Sequence, residues 1–485
     1  MHSDSIWKDV VMRPRENTLD RDMEVEVAII GGGIAGILTA YLLKERGVSS
    51  VILEADTVCS GQTGRTTAKI TSQHGRCYDR LTARFGREGA QQYANANQGA
   101  IEAYAALIKK LGIDCDFTRL PAFLYSTEEK DPLEKEAEAA KALGLPASYT
   151  IDTGLPFPVA GAVRFENQAQ FHPLKFLSAL IPALTIYEHT KVLFAEGNVL
   201  KTERRTVRAK KIVFACHYPF LNVPGYYFMR MHQERSYVLA LSNAMEFTAA
   251  YIGMDENKLS LRSHGGLLLL GGGAHRTGDN KEGGKYELLR AAAVKYFPNS
   301  REEARWSAQD CMTHDGVPYI GRFSHDTPDW YIATGFQKWG MTASMAAATL
   351  LSDAIAKGKD DAFGVFSPDR YVPAAAVPEL LKDGGQTVKG LTRQLFHIPG
   401  KTLEELPRSH GGVVDAEGEK LGVYKNERGE CFAVHTRCPH LGCELTYNPD
   451  ETSWDCPCHG SRFAHTGDRL DGPAQEDVIG SNTRA

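Results

Sequence analysis

The sequence lacks the features that point to membranes, secretion or nucleic acids. No apolar run approaches the roughly 20 residues that a membrane-spanning helix requires. The 485 residues carry 55 Lys and Arg against 60 Asp and Glu, a formal net charge of −5, which offers no basic surface for nucleic acid. The first residues lack the apolar core of a secretory signal. We therefore expect a cytoplasmic protein with no transmembrane segment and no nucleic-acid partner.

Internal repeats and low-complexity tracts are also lacking, which excludes a repeat array. The composition, 42% hydrophobic and 24% charged, is ordinary for a globular protein. A chain of 485 residues is too long to fold around a single ordinary hydrophobic core, so about two or three domains are expected.

Cysteine is sparse in the first two-thirds of the chain and concentrated near its end. The ten cysteines include five that crowd together, namely Cys431, Cys438, Cys443, Cys456 and Cys458. In a cytosolic protein such a cluster indicates metal binding or redox chemistry before it indicates a disulfide scaffold.

A predicted βαβ unit near the start indicates a nucleotide site. Glu24–Ile30 has the pattern of a buried parallel strand, 37–46 that of a helix, and 51–53 that of a second strand. The glycines of the intervening G-x-G-x-x-G let the backbone approach a pyrophosphate at a helix N-terminus, and an acidic residue after the second strand can bind a ribose. The predicted contacts are Gly31, Gly33, Ile34, Ala35, Gly36 and Glu54.

The segments that follow favour FAD over NAD. Residues 63–68 add a glycine, an arginine and hydroxyls that suit the other side of a pyrophosphate. Far downstream, 313–321 precedes a predicted strand at 330–335 and a helix that opens near Gly340. A second G-x-G-x-x-G unit for NAD is lacking, because Gly271–Gly273 is not followed by a helical pattern.

On these segments the chain, from about Glu24 to Phe366, resembles the D-amino-acid oxidase-like FAD superfamily, which includes glycine and sarcosine oxidases. The resemblance implies an α/β FAD-binding fold, Rossmann-like and of the D-amino-acid oxidase type, with an interleaved α+β substrate domain. It implies that a second helix N-terminus stabilises negative charge on the reduced flavin. It adds these cofactor contacts: Arg65, Thr66, Thr67, Val192, Gly335, Gly340, Met341 and Thr342. The family often has glycines where this chain has Gln337, Lys338 and Trp339. Lys338 and Trp339 are either special features of this flavin pocket or merely a cation and an aromatic filler.

The C-terminal cysteines belong to two short loops that also carry histidines. Cys-x-His and Cys-x-x-His pairs supply two thiolates and two imidazoles, the donor set of a Rieske [2Fe–2S] centre. A Cys₂His₂ zinc site uses the same residue types. The extra cysteine in each loop and the Gly-Ser after the second histidine favour the Rieske centre.

Residues 396–485 resemble Rieske proteins and imply a small all-β domain. The resemblance implies that Cys438, His440, Cys456 and His459 are cluster ligands and that Cys443 and Cys458 form a disulfide. High-potential Rieske proteins have a tyrosine two residues beyond the serine that matches Ser461, and this chain has Phe463. Fewer hydrogen bonds to cluster sulfur lower the potential, so we expect it below about +300 mV.

These segments divide the chain into four predicted parts. They are an N-terminal arm (1–23), expected to be loose, an FAD-dependent oxidoreductase (24–365), a Pro-, Ala- and Gly-rich linker (366–395) and the Rieske domain (396–485).

Catalytic residues are not identified by any motif, because hydride transfer to a flavin does not require an acid–base pair. Cations near flavin-facing segments could bind a substrate carboxylate, although each candidate is more often a structural polar residue. The weak candidates are His74, Arg235, His275 and Lys338, with Lys69, Gln73, Tyr237 and Arg276 as further members.

We therefore predict an enzyme in which FAD oxidises a small amine, amino acid or related metabolite at a CH–NH or CH–OH bond. The electrons pass to the Rieske cluster and on to a redox partner or acceptor. Two alternatives stay open: an oxidase that uses oxygen and has a structural or regulatory Rieske domain, and an electron-transfer module for a partner enzyme. A Rieske oxygenase is disfavoured, because its mononuclear iron needs a separate two-His-one-carboxylate domain.

Overall fold

The computed structural model describes residues 4–12, 18–256, 258–358, 360–370, 402–416 and 418–480, with Gly385 and Lys389. Its strands, in chain order, are β1 (Met23–Ile30), β2 (Ser50–Leu53), β3 (Lys69–Ile70), β4 (Thr118–Ser126), β5 (Ala147–Thr150), β6 (Gly161–Gln170), β7 (Thr185–Tyr187), β8 (Val192–Glu196), β9 (Val199–Thr202), β10 (Thr206–Phe214), β11 (Met231–Ser242), β12 (Ala250–Gly253), β13 (Ser260–His264), β14 (Leu267–Arg276), β15 (Arg301–Thr313), β16 (Tyr319–Arg322), β17 (Trp330–Thr334), β18 (His410–Ala416), β19 (Glu419–Lys425), β20 (Cys431–His435), β21 (Thr446–Asn448), β22 (Ser453–Asp455), β23 (Arg462–Ala464) and β24 (Arg469–Asp471). The α-helices are α1 (Ile34–Glu45), α2 (Tyr78–Leu111), α3 (Asp131–Ala142), α4 (Pro173–Leu180), α5 (Lys285–Tyr296) and α6 (Gly340–Lys357).

The first large sheet has a parallel centre, as the predicted βαβ unit requires. Its strand order is β16-β17-β10-β1-β2-β7, with β8 and β9 attached through β10. The last four residues of β1, Val27–Ile30, are buried, and α1 packs against α6 over the sheet. Helix α1 begins at Ile34 and not at Ile37, because Gly33 is its N-cap. The glycine turn and Glu54 therefore meet at the carboxyl ends of β1 and β2, where α/β sheets bind ligands.

The second large sheet is mostly antiparallel and lies across a cavity from the first sheet. Its order is β15-β11-β14-β13-β12-β4-β6-β3, with β5 paired to β6. Helix α2 bends at Gly86, whose φ of 69° and ψ of 175° are not helical. Such a backbone conformation suits glycine, since it has no Cβ.

The C-terminal domain is all-β, with a three-stranded sheet (β18-β19-β20) and a four-stranded sheet (β21-β22-β23-β24). Trp454 and Phe463 are fully buried in its core beside the four buried cysteines. The two Cys/His loops lie between β20 and β21 and between β22 and β23. The pairing of β21 with β22, in which Thr446 lies opposite Asp455, places the end of the first loop beside the start of the second.

The N-terminal arm, which we expected to be loose, is packed where the structure describes it. Trp7 is fully buried, and its indole N–H donates to the carbonyl of Thr66, 2.7 Å away. Most of the predicted linker, including 371–384 and 390–395, lies outside the described residues. Among the helices of the described part, none combines the length and the hydropathy that crossing a membrane would need.

A buried ion network joins the C-terminal domain to the second large sheet. Arg235 on β11 is fully buried, and its Nε donates to Glu451, 3.0 Å away. Arg462 lies 3.1 Å from both Glu451 and Asp455 and 3.0 Å from Asp471. Each charge has an opposite charge in contact, which is the condition under which buried ions are tolerated. The network therefore specifies how the two domains sit on each other.

Neutralising Glu451 should destabilise the protein markedly, because Arg235 would lose its directly bonded partner inside the interface. We expect Glu451→Gln to lower the free energy of unfolding by about 3 kcal/mol in urea titrations followed by fluorescence. The control is Glu45→Gln, which breaks the exposed contact with Lys110 and should cost about 1 kcal/mol or less. Equal effects of the two substitutions would contradict the structural role of the network.

Candidate functional site

A cavity of about 1100 Å³ is lined by residues of both large sheets and of the C-terminal domain. Its volume exceeds the roughly 300–1,000 Å³ of ordinary small-ligand pockets, as a dinucleotide together with a substrate would require. The first sheet contributes Ile30 and Leu53, and the second contributes Val238 and Ile252. The C-terminal segment 469–475 completes the wall.

The glycine turn forms a cradle that no side chain could share. A Cβ on Gly31 would lie 2.5 Å from the carbonyl oxygen of Ala215, and one on Gly36 would lie 2.0 Å from that of Gly31. The first N–H groups of a helix have no intrahelical partners and carry partial positive charge. Ile34 N–H donates to the Thr63 hydroxyl at 3.0 Å, which holds the turn open toward the cavity. The site fits a pyrophosphate.

Glu54 lies at the adjoining end of the cavity. Its carboxylate accepts hydrogen bonds from Gly32 N–H at 2.6 Å and Asp56 N–H at 2.9 Å, and burial raises its pKa. The carboxylate is therefore held in place where a ribose would lie. Of the predicted cofactor contacts, twelve line the cavity: Gly31, Gly33, Ile34, Ala35, Glu54, Arg65, Thr66, Thr67, Val192, Gly335, Gly340 and Met341. Gly36 packs beneath the turn, and Thr342 hydrogen-bonds to Thr71 O and His74.

The N-terminus of α6 points its partial positive charge into the other end of the cavity, through Gly340 and Met341. Trp339 also lines this end and stacks on His74 with ring centroids 4.7 Å apart. Lys338 lies 3.0 Å from both Asp310 and Glu234. Burial opposes its charge, but the two carboxylates outweigh burial and raise the pKa of Lys338.

The second sheet and α2 give the cavity a cationic wall. Burial, followed by the charge of Arg262, lowers the pKa of Lys69 to about 7, and its ammonium donates to Ser260 at 2.6 Å. Burial and the nearby Lys338 also lower the pKa of Lys258. Arg80 and Arg84, four residues apart on α2, also line the cavity, as does Arg76 just before the helix. Residues at that spacing on a helix share one face. The wall suits a carboxylate.

The weak catalytic candidates occupy different places. Lys338 and His74 line the cavity, but both ring nitrogens of His74 are engaged, with Tyr93 and with Thr71 and Thr342, and burial lowers its pKa to about 3. Lys69 and Tyr237 also line the cavity, whereas Gln73 is buried away from it.

The remaining candidates lie at the contact between the domains and not along the cavity. Arg235 belongs to the ion network, and Arg276 donates to the carbonyl of Pro457 at 3.0 Å. His275 lies 2.8 Å from Arg276 O and 3.2 Å from the Tyr237 hydroxyl. Their polar character serves the interface, which a reading of β11 and β14 alone does not reveal.

The four implied cluster ligands converge at the tips of the two C-terminal loops. The Nδ1 atoms of His440 and His459 lie 3.2 Å apart, and the thiol groups of Cys438 and Cys456 contact each other. Cys443 and Cys458 form a disulfide, with sulfurs 2.07 Å apart, beside Cys456. One pair of sulfurs in contact and one pair of imidazole nitrogens in contact fit a [2Fe–2S] centre with thiolates on one iron and histidines on the other.

Of the two positions near this centre from which a side-chain hydroxyl could donate to the cluster, only one carries a hydroxyl group. The Ser461 hydroxyl hydrogen-bonds to Cys438 and accepts from Ala474 N–H at 2.9 Å. Phe463 is fully buried in the same core and has no hydroxyl to donate. Such contacts tune the potential of the cluster.

The histidine side of the centre faces the rest of the chain. His440 Nε2 donates to Asn222 Oδ1 at 2.6 Å, and the edge of Phe228 lies against both ligand histidines. Gln233 Nε2 donates to the carbonyl of His459 at 2.7 Å. Sequence reasoning missed these contacts, because their residues lie far from the cysteine loops in the chain and carry no motif.

Comparison with known proteins agrees with both halves of the site. The FAD dependent oxidoreductase family model matches residues 26–354, and the Rieske [2Fe-2S] domain model matches residues 399–480. YhfW of Bacillus subtilis (strain 168), which carries the name of a Rieske 2Fe-2S iron-sulfur protein, is 36% identical over 97% of this chain and 96% of its own. Gamma-glutamylputrescine oxidoreductase of Escherichia coli (strain K12) is 23% identical over 77% of this chain and 91% of its own.

Glycine oxidase of Geobacillus kaustophilus has a similar solved structure, with a TM-score of 0.60 and 20% identity over 72% of this chain and 99% of its own. At that identity the likeness shows the fold alone. Together with the family models it confirms the predicted fold class, and the models confirm the two predicted cofactors.

Replacing Phe463 by tyrosine should raise the reduction potential of the cluster, because the new hydroxyl can donate to a cluster sulfur. We expect an upward shift on the order of tens of millivolts in an EPR-monitored redox titration, from a wild-type value below about +300 mV. Ser461→Ala, which removes the hydroxyl that is present, should shift the potential downward. A wild-type value at the top of the range would contradict this reasoning.

The charge of Lys69 should make carboxylate binding in the cavity depend on pH. With its pKa lowered to about 7, Lys69 is cationic below that pH and neutral above it. Benzoate, followed by its effect on flavin absorbance, should therefore bind more weakly as pH rises through about 7. Lys69→Met should remove this dependence, and the exposed-site control Lys110→Met should keep it. An unchanged pH profile in Lys69→Met would refute the assignment.

Proposed function

The chain belongs to the FAD dependent oxidoreductase family and carries a Rieske [2Fe-2S] domain, and from this premise we propose that it oxidises a small amine, amino acid or related metabolite and passes the electrons to the cluster. The observation that carries the proposal is that the Rieske domain forms part of the flavin cavity. Residues 469–475 of that domain line the same cavity as the glycine turn and the start of α6.

The cluster-binding loops contact the flavoprotein part of the chain directly. His459 is 2% exposed, and its loop lies against β11 through the Gln233 hydrogen bond. Asn222 binds the outer nitrogen of His440. If the role of the Rieske domain were unrelated to the flavin, its histidine ligands would not need to face the flavoprotein part of the chain. This orientation supports internal electron transfer.

The two groups supply the redox chemistry when bound: FAD accepts a hydride, and the cluster carries single electrons. The residues of the chain supply the electrostatic and packing environment of these groups. The α6 N-terminus places positive potential at the flavin end of the cavity, which stabilises negative charge there without reorganisation. Trp339 and His74 form a stacked aromatic wall at this end.

The cationic wall supports a substrate that carries a carboxylate. Lys69, Arg80 and Lys258 line the cavity, whereas Lys338 is already neutralised by two carboxylates. Among the described residues no carboxylate forms an ion pair with Lys69, Arg80 or Lys258, and such a cation in a partly buried cavity favours an anionic group. The relative named gamma-glutamylputrescine oxidoreductase supports oxidation at a CH–NH bond. An amino acid or N-substituted amino acid combines the two features.

An anaerobic assay of the purified holoprotein tests the proposal. Amino acids and N-methyl amino acids are added beside their amides and beside polyols, and flavin absorbance and the EPR signal of the reduced cluster are followed. We expect the carboxylates to bleach the flavin and then to produce the EPR signal, and their amides to react far more weakly. In Cys456→Ser, which removes one cluster ligand, the flavin should still bleach and no EPR signal should appear.

Flavin bleaching that leaves the cluster oxidised, in protein that contains both centres, would refute electron transfer from the flavin to the cluster. Peroxide formation in air at the same rate in wild type and Cys456→Ser would then identify an oxidase whose Rieske domain is uncoupled.

A further inference from the structure

A buried chain of polar groups connects the cavity with the loop that carries His459. His217 follows β10, lines the cavity and has a φ of 67°. Its Nε2 is buried with no hydrogen-bond partner among the described residues, and the side chain of Gln233 faces its ring. Gln233 Nε2 in turn donates to His459 O at 2.7 Å and to Gly472 O at 3.0 Å.

The amide of Gln233 is fixed in one orientation by a second buried glutamine. Gln309 Nε2 donates to Gln233 Oε1 at 2.7 Å and to Gly460 O at 2.8 Å. The backbone N–H of Gln309 donates to Gln62 Oε1 at 2.6 Å, so this glutamine is also held from the cavity side. Gln233 and Gln309 are each 1% exposed. Because every polar atom of the Gln233 amide is engaged, the side chain has one defined position.

The contact between Gln233 and the cluster loop leaves no room for a water layer. A Cβ on Gly460 would lie 2.6 Å from the Cβ of Gln233. The route from the cavity thus runs through the His217 ring, the Gln233 amide and the His459 carbonyl, which is covalently joined to the ligand imidazole. Electron transfer decays steeply across gaps and less steeply along covalent and hydrogen bonds, so a packed route of this kind is favoured over neighbouring ones.

We propose that His217 and Gln233 form the electron-transfer bridge between the flavin cavity and the cluster, with Gln309 as the positioning residue for Gln233. The inference rests on the proposed function. The two electrons released by substrate oxidation would cross the bridge one at a time, and each would reduce the oxidised cluster by a single electron. A one-electron carrier protein reoxidises the cluster after each transfer, and the accompanying protons pass to solvent.

The interface also contains a polar contact that is not on this route and serves as a control. Asn280 Nδ2 donates to Asn448 Oδ1 at 2.9 Å and to Asp450 Oδ2 at 2.8 Å, and Asn280 is buried. Its amide joins the two domains as Gln233 does and also lies 3.4 Å from the Tyr237 hydroxyl, but among the described residues it contacts neither His217, nor Gln233, nor a cluster-binding loop. Asn280→Leu therefore removes a matched interdomain contact and leaves the bridge intact.

The test uses the holoprotein with both centres loaded and needs no substrate. Under anaerobic conditions, illumination with EDTA reduces the flavin in a fraction of the molecules, and the appearance of reduced cluster is followed by absorbance and freeze-quench EPR. We expect Gln233→Leu and His217→Leu to slow this transfer by about ten- to hundredfold, a size typical of lost positioning. The EPR line positions and the midpoint potential of the cluster should stay as in wild type, and Asn280→Leu should keep the wild-type rate.

Wild-type transfer rates in both bridge variants would overturn the proposal, as would an equal slowing in Asn280→Leu, which would indicate a general effect of weakened docking. If Gln233→Leu fails to hold its cluster, His217→Leu decides, because His217 lies on the cavity side of the bridge. If the cluster of the wild-type protein receives no electrons at all, the proposed function fails together with the bridge.

Discussion

The fixed docking of the Rieske domain on the wall of the flavin cavity is the constraint on which the rest of the site depends. The interface is polar and buried, with Arg235 and Glu451 at its centre. Buried charged groups are tolerated only when each has a partner of opposite charge. A shifted orientation of the domain would leave such charges buried with neither a partner nor solvent. A single arrangement is therefore selected, and the cavity lining, the histidine orientation and the glutamine contacts all follow from it.

The parts of the site that the sequence predicts are those whose chemistry is local. The Gly31–Gly36 turn needs only the strand before it and the helix after it, and the observed β1, α1 and β2 differ from the expected bounds by a few residues. The two Cys/His loops are similar, because spacing within each loop places the donors. In both cases the residues that define the function are neighbours in the chain.

The parts that the sequence could not predict depend on partners that are distant in the chain. Arg235 and His275 have the residue types of substrate ligands, but the partner of Arg235 is Glu451 and His275 lies beside Tyr237. Trp7 looks like part of a loose arm until its indole is seen bonded to Thr66. Residue type indicates what a side chain can bind, and only the fold decides what it meets.

The chemistry of the two glutamines is consistent with their position between two redox centres. A carboxylate or an ammonium there would change its proton occupancy whenever an electron arrived nearby, since added negative charge raises the pKa of every neighbouring group. Glutamine does not titrate, so Gln233 and Gln309 keep the same hydrogen bonds in every redox state. The ionised residues of the interface are instead gathered into the Arg235, Glu451 and Arg462 network, where each charge is already compensated. The interface thus separates the groups that hold the domains together from those that connect the centres.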